Sequence, residues 1–235
     1  MQAVILAGGQ GTRLAPFTKV FPKPLVPVGE KPILDMIIRQ LRYFGFQRVT
    51  LAVGYMAEMI QTYVRNGEQY GIKIDYSFEE EPLGTVGPLS QMMKLDENFL
   101  VMNGDIITDL NFRELMAFHK EQNAIATIGV YQKNYKIDLG IVQNGDGYAI
   151  TDYVEKPTYT FKVSMGVYVF NIAVLQHIEP KKYLDFPNLV KLLLANRQKV
   201  ISYPFDGYWL DIGNHDDYQQ AVEEFEAIKG RLHLG

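Results

Sequence analysis

Apolar residues along the chain recur in two rhythms. Residues 3–7 (AVILA) form a short unbroken apolar run, with the length and composition of a strand buried on both faces. From 32 to 45, Ile33, Met36, Ile37, Leu41 and Phe44 return at helical spacing, and Gly45 supplies a stop. Residues 48–53 predict a second buried strand, and 56–65 an amphipathic helix closed by Asn66-Gly67. The strict alternation of 72–78 predicts a half-buried strand. A loop at 79–82 runs through 83–88 into a short helix around 89–94. Residues 98–102 read as a buried strand ending in Asn103-Gly104-Asp105, 112–122 as a helix and 125–131 as a strand.

The second half carries more strand and hairpin character. Residues 140–142 and 148–154 flank Asn144-Gly145-Asp146-Gly147, a hairpin-turn signal. Strands follow at 163–170, 200–203 and 208–212, with helices at 188–196 and 215–229, the latter stopped by Gly230. Asp109 is expected to cap the helix that begins at Phe112. Strand–helix alternation through the first half implies βαβ units and a central, mostly parallel sheet. With no internal repeat, low-complexity segment or linker, one domain over 1–235 is the simplest organisation.

Composition narrows the function classes. The 235 residues are 47% hydrophobic and 21% charged, ordinary for a globular chain with a real core. The absence of cysteine excludes disulfides, thiolate metal sites and cysteine nucleophiles. No apolar run approaches the ~18–20 residues that cross a membrane, and the first run is broken by glycine after Ala7, unlike a signal peptide. A cytoplasmic protein is expected. The net charge of −4 hides an asymmetry: residues 1–48 carry seven Lys/Arg against two acids, Glu30 and Asp35. A nucleic-acid binder would spread basic charge over a face; here the excess sits beside one glycine loop and suits a compact anion.

That loop, Gly8-Gly9-Gln10-Gly11, follows the first strand and is followed by Arg13, Lys19 and Lys23. A loop almost free of side chains brings backbone N–H groups close to a ligand, and the cations make it a cradle for polyphosphate. The alternative is a glycine turn with solvated charges. It is not a P-loop, because Thr12-Arg13 follows Gly11 where Lys-Ser/Thr belongs. Nor is it a dinucleotide fingerprint, because Leu14 replaces the third glycine and a Pro-interrupted loop replaces the helix. A kinase or a nicotinamide oxidoreductase is thereby disfavoured.

The segments LAGGQGTRLAPFT and FPKPLVPV resemble the signature of the nucleotidyltransferases that join a nucleoside triphosphate to a sugar 1-phosphate. Within these sugar-nucleotide pyrophosphorylases the motifs are nearest to mannose-1-phosphate guanylyltransferases. The likeness continues, in order, at EEEPLGTVGPLS (79–90), NGD (103–105), EKP (155–157), GVYVF (166–170) and YWLDIG (208–213), across nearly the whole chain. It implies an α/β fold, a Rossmann-like mixed, mostly parallel central sheet flanked by helices with a smaller sugar-binding β subregion.

The resemblance also implies roles. Arg13 would hold the phosphates that leave as pyrophosphate, and Lys23 would sit near the α-phosphate and the incoming phosphate. Leu6, Ala7, Gly8, Gly9, Gly11, Thr12, Gly84, Thr85 and Gly104 would bind the nucleotide, with Gly84 and Thr85 meeting the base. Asp105 and Asp211 would hold Mg²⁺; a cap or a salt bridge is the other use for each acid. Glu155 and Lys156 would grip the sugar phosphate, with Gly140 and Gly166 close to the sugar. The attacking phosphate is already ionised near neutral pH, so catalysis reduces to positioning and charge neutralisation without a general base.

One departure bears on the sugar: Ser164-Met165 stands before Gly166, where many relatives have Asn-Ala or Asn-Gly. Tyr55, Tyr208 and Trp209 could line the sugar site, but aromatics more often belong to the core, and they are not counted as site residues. The EEEPLGTVGPLS loop most resembles that of the guanylyltransferases, which implies GTP; a uridylyl- or thymidylyltransferase and a non-catalytic sugar-nucleotide sensor are the other readings. The expected partners are an NTP and a sugar 1-phosphate, without nucleic acid or membrane, and a homo-oligomer is compatible with all of this. The acyltransferase or β-helical additions of some relatives are expected to be absent.

Overall fold

The computed structural model describes residues 1–79 and 81–234; Glu80, within the predicted loop at 79–82, and Gly235 lie outside the described residues. The first half lays down β1 (Gln2–Ala7), the two-residue strands β2 (Pro27–Val28) and β3 (Lys31–Pro32), α1 (Ile33–Tyr43), β4 (Arg48–Val53), α2 (Ala57–Val64) and β5 (Lys73–Phe78). Next come β6 (Asn98–Asn103), β7 (Ile106–Thr108), α3 (Phe112–Gln122) and β8 (Ala126–Lys136). The chain closes with β9 (Ile141–Asn144), β10 (Ile150–Val154), β11 (Thr158–Asn171), α4 (Phe186–Ala195), β12 (Val200–Phe205), β13 (Trp209–Asp211) and α5 (His215–Ile228).

Seven strands form one sheet in the order β12-β8-β11-β6-β1-β4-β5. The pairs β6–β1, β1–β4, β4–β5 and β12–β8 are parallel, and β11 runs antiparallel to both neighbours. The sheet is therefore mixed and mostly parallel. β1 lies inside it with both faces covered: Ala3, Ile5 and Ala7 join a core with α1, α3 and α5, while Val4 packs on the other side with Leu189 and Leu193 of α4. Burial on both faces explains why its sequence is continuously apolar and not alternating.

Several local readings change. The helix expected at 89–94 is a 3₁₀ turn at Gly87–Gln91, with Pro88 in its first turn and too few residues for an α-helix to nucleate. Gly230 does not stop α5, since a 3₁₀ turn at Lys229–Arg231 runs through it. Asp109 does not cap α3: the Asn111 side chain accepts from the N–H groups of Arg113 and Glu114. Gly45, by contrast, takes φ +87° and closes α1, its N–H donating to Arg42 O.

The largest difference is length. β8 and β11 run far past the expected 125–131 and 163–170, pairing from Thr158↔Lys136 to Ser164↔Val130. Their outer halves are exposed, and with the small β9–β10 sheet they form an arm off the body. At its root the β11 register shifts between Ser164 and Tyr168, a bulge in which Gly166 takes φ +69°. A Cβ on Gly166 would stand 2.6 Å from Asn103 Nδ2, so the bulge presses strand backbone against the turn after β6.

Candidate active site

The loops that follow β1, β4, β5 and β6 gather where these parallel strands end, which is where open α/β sheets hold ligands. They line a cleft of about 710 Å³, within the usual range for small-molecule sites. Tight backbone packing brings them together. Gly104 donates to Leu6 O at 2.9 Å, and Tyr55 N–H to Gly8 O at 3.2 Å. A Cβ on Gly11, at φ +61°, would meet Thr18 Cγ2 at 2.9 Å and Lys23 Cβ at 3.0 Å, so only glycine lets this loop close over the lysine stem.

All nine nucleotide residues expected from the sequence line this cleft, together with Arg13, Lys23 and Asp105. Lys23 sits in a 3₁₀ turn between Pro22 and Pro24 and its ammonium pairs with Asp105 Oδ2. The other oxygen, Asp105 Oδ1, is buried and has no hydrogen-bond partner among the described residues. Asp211, at the end of β13, is tied alongside because Ile212 N–H donates to Asp105 O at 3.1 Å. Burial, reinforced by the neighbouring Asp105 charge, raises the Asp211 pKa to about 6, against the opposing pull of Lys23 and Arg13. The Arg13 guanidinium stands beside Gly213, 3.7 Å from where a Cβ there would lie.

An orphaned carboxylate oxygen next to a second, mutually repelling carboxylate is a hard-oxygen donor set short of a cation. Among the described residues no group of three or more His, Asp or Glu stands ready to enclose an ion. The pair therefore fits a metal whose remaining ligands come from bound phosphate and water.

The far wall is strapped by a long-range contact. Leu184 N–H donates to Leu83 O, Thr85 N–H to Asp185 Oδ1 at 3.2 Å, and Phe186 N–H to Thr85 Oγ1 at 2.8 Å. Gly84, at φ +78°, lets the strand of the loop lie against Leu184 O, which a Cβ would approach to 2.7 Å. Sequence reasoning missed Tyr183, whose hydroxyl donates to Asp185 at 2.5 Å and whose ring lines the cleft. Only the fold brings residue 183 to residue 85. It also missed Glu79 and Asn103, and Tyr55, left open between site and core, lines the cleft. Glu79 Oε2 accepts from Leu83 N–H while Oε1 lies beside Gly8, and burial raises its pKa.

Gly140, Glu155, Lys156 and Gly166 do not line the cleft. The first three belong to the arm: Tyr153 OH, which donates to Glu155 Oε2 at 3.1 Å, fills the space a Cβ on Gly140 would need. Glu155 and Lys156 are mostly exposed. Gly166 lies at the bulge, touching Asn103, with Met165 buried in the core and its carbonyl accepting from Trp209 Nε1 at 2.9 Å. The Ser164-Met165 departure is thus a core anchor at the bulge.

Comparisons with known proteins bear on the family and the fold. The sequence model of the family described as Nucleotidyl transferase matches residues 2–227. A mannose-1-phosphate guanyltransferase of Yarrowia lipolytica is 37% identical over 230 residues, 93% of this chain and 62% of that protein. A UTP–glucose-1-phosphate uridylyltransferase of Synechocystis is 32% identical, over 94% of this chain and 62% of that protein. The chain thus spans less than two thirds of the length of either. Among solved structures, HddC from Yersinia pseudotuberculosis complexed with GMP-PN superposes with a TM-score of 0.74 at 26% identity, covering 95% of this chain and 99% of that one.

Proposed function

This chain belongs to the nucleotidyl transferase family, and on that premise we propose that it transfers a nucleotidyl group from GTP to a sugar 1-phosphate with the aid of Mg²⁺. An oxygen of the sugar phosphate attacks the α-phosphorus in line; the bond to the β-phosphate oxygen breaks, and pyrophosphate leaves. No proton needs removing from the nucleophile, so the chain's work is to position and neutralise. The glycine-loop N–H groups and Arg13 hold the β- and γ-phosphates, and Lys23 exchanges its Asp105 partner for the α-phosphate and the incoming phosphate. Asp105 and Asp211 would hold Mg²⁺, which when bound supplies further charge neutralisation on the phosphates. The unpartnered, buried Asp105 Oδ1 beside Asp211 is the observation that carries this reading.

Two features favour guanine. Glu79 presents a carboxylate oxygen into the cleft, and guanine's N1–H and N2–H₂ are adjacent donors, whereas uracil and thymine offer one N–H between two carbonyls. The similar proteins named for guanylyl transfer and the GMP-PN complex point the same way. The Synechocystis relative keeps uridylyl transfer as a second reading. Glu155, Lys156, Gly140 and Gly166 are assigned to the sugar phosphate on the resemblance of their motifs.

The test is release of pyrophosphate with Mg²⁺, each of GTP, UTP, dTTP, CTP and ATP, and a panel of sugar 1-phosphates. GTP with one hexose phosphate should be turned over fastest. Activity with UTP alone would move the base assignment, and no release with any pair would sink the enzymatic reading.

A further inference from the structure

The wall of the cleft that carries Glu79, Gly84 and Thr85 also carries Tyr183. Main chain is pinned on both sides of this residue. Lys182 O lies against Gly87, where a Cβ would come within 2.7 Å of it, and Leu184 N–H donates to Leu83 O at 2.9 Å. The Tyr183 side chain is held far less tightly. It is 62% exposed, and its hydroxyl donates to Asp185 Oδ2 at 2.5 Å in a bond open to water. Asp185 is a shared anchor, because its Oδ1 accepts from Thr85 N–H at 3.2 Å. Two hydrogen bonds thus separate the phenol from the loop expected to meet the base. Tyr55, the second aromatic among the described lining residues, donates to Thr18 O at 3.2 Å and is tied to the glycine-loop side.

An aromatic ring left in water at the edge of a cleft, on a backbone that cannot shift, is a platform for a flat ligand. Every nucleobase has a π face, and the larger face of a purine covers more of a ring than that of a pyrimidine. We propose that Tyr183 is a specificity-determining residue that folds over the base of the bound nucleotide, stacks on it and favours purines; this rests on the nucleotidyl-transfer reading above. Rotation about the side-chain bonds is enough to bring the ring across, since the flanking backbone stays pinned and only one exposed hydrogen bond is given up. Tyr183 and Glu79 then sort nucleotides by different properties. The carboxylate reads the hydrogen-bonding edge of the base, and the ring reads its area.

Calorimetric titration in Mg²⁺ with GTP, ATP, UTP and inorganic tripolyphosphate tests the proposal. Tyr183→Ala should weaken GTP and ATP binding about tenfold or more, UTP binding about threefold at most, and tripolyphosphate binding not at all. Tyr183→Trp should restore GTP affinity, and a stacked guanine should quench the added indole emission, with Trp209 of the unaltered chain as the baseline. Because the side chain is exposed, the unfolding midpoint of Tyr183→Ala should match that of the unaltered chain. Unchanged GTP affinity in Tyr183→Ala overturns the proposal. An equal loss for tripolyphosphate also overturns it, by assigning the ring to the shape of the cleft. An unaltered chain that shows the expected binding pattern but turns over no sugar phosphate upholds the role of the ring and sinks the enzymatic reading. An unaltered chain that binds no nucleotide overturns both.

Discussion

The cleft and the arm are made in opposite ways. The cleft is held by close packing: Gly84 and Gly104 let main chain approach where a Cβ would crowd Leu184 O and Leu6 O, Gly11 does the same for the Thr18 and Lys23 side chains, and hydrogen bonds from residues 184–186 strap its far wall. The arm is held by one antiparallel ladder, and its candidate ligands Glu155 and Lys156 stand mostly in solvent. On the proposed function, a nucleotide would meet a surface organised before it arrives, and a sugar phosphate would depend on side chains that must give up their freedom on binding. Preorganisation would then belong to one substrate and adaptability to the other.

The strongest challenge to that division is charge at the cleft. Asp211→Asn should lower kcat about 10²–10³-fold. Its unfolding midpoint should stay level or rise, since the substitution relieves repulsion between two buried carboxylates. A near-normal rate at saturating Mg²⁺ would remove the metal pair from the reading. Next in size is Glu79→Gln: kcat/KM with GTP should fall about 10–100-fold relative to UTP, while KM for the sugar phosphate holds. A uniform loss across bases would show that Glu79 shapes the loop and does not read guanine.

Smaller still, Lys156→Ala should raise KM for the sugar phosphate about 5–10-fold at constant kcat and leave KM for the nucleotide alone. If the nucleotide KM moves instead, the division between the regions fails. The least effect on activity comes from His119, which ties α3 to the root of β8. Its Nδ1 lies 2.8 Å from Thr127 Oγ1 and its Nε2 3.1 Å from Asn98 Oδ1, and burial lowers its pKa to about 4. The unfolded chain takes up a proton near pH 6.5, while the folded one resists until about 4. Stability is thus full above pH 6.5 and is lost as pH falls toward 4, on the order of 3 kcal/mol. Denaturant titrations from pH 7 to 4 should show this slope, and His119→Gln should flatten it.

Much of the cleft was legible because its chemistry is local. Gly8–Gly11, Arg13 and Lys23 lie within sixteen residues, and a continuous apolar run announced β1 as buried on both faces. What stayed hidden needed contacts across the fold. Tyr183 reaches the cleft only because residues 184–186 pair with 83–86, a hundred positions earlier. The β9–β10 hairpin of the arm was announced by Asn144–Gly147, but its β8–β11 ladder escaped because residues 132–136 (QKNYK) carry too little apolar character to signal a strand; pairing with β11 imposes one. Asp109 misled for a related reason. It looked like a cap, yet its carboxylate accepts from Tyr208 N–H and pairs with Arg231, partners about a hundred residues away.

His215 Nε2 lies 2.6 Å from Ala15 O, and since a carbonyl only accepts, the imidazole donates. Phe17 packs on His215 and Tyr218 at the same corner. The first loop of the chain is thus clasped by its last long helix, two hundred residues on. During synthesis the glycine loop emerges early but stays unclasped until α5 has left the ribosome, and Asp211 arrives only just before it. A nascent chain can bury β1 between β4 and β6 long before residues 15 and 215 can meet. The geometry of the glycine loop's flank therefore rests on a contact that closes only once residue 215 is in place.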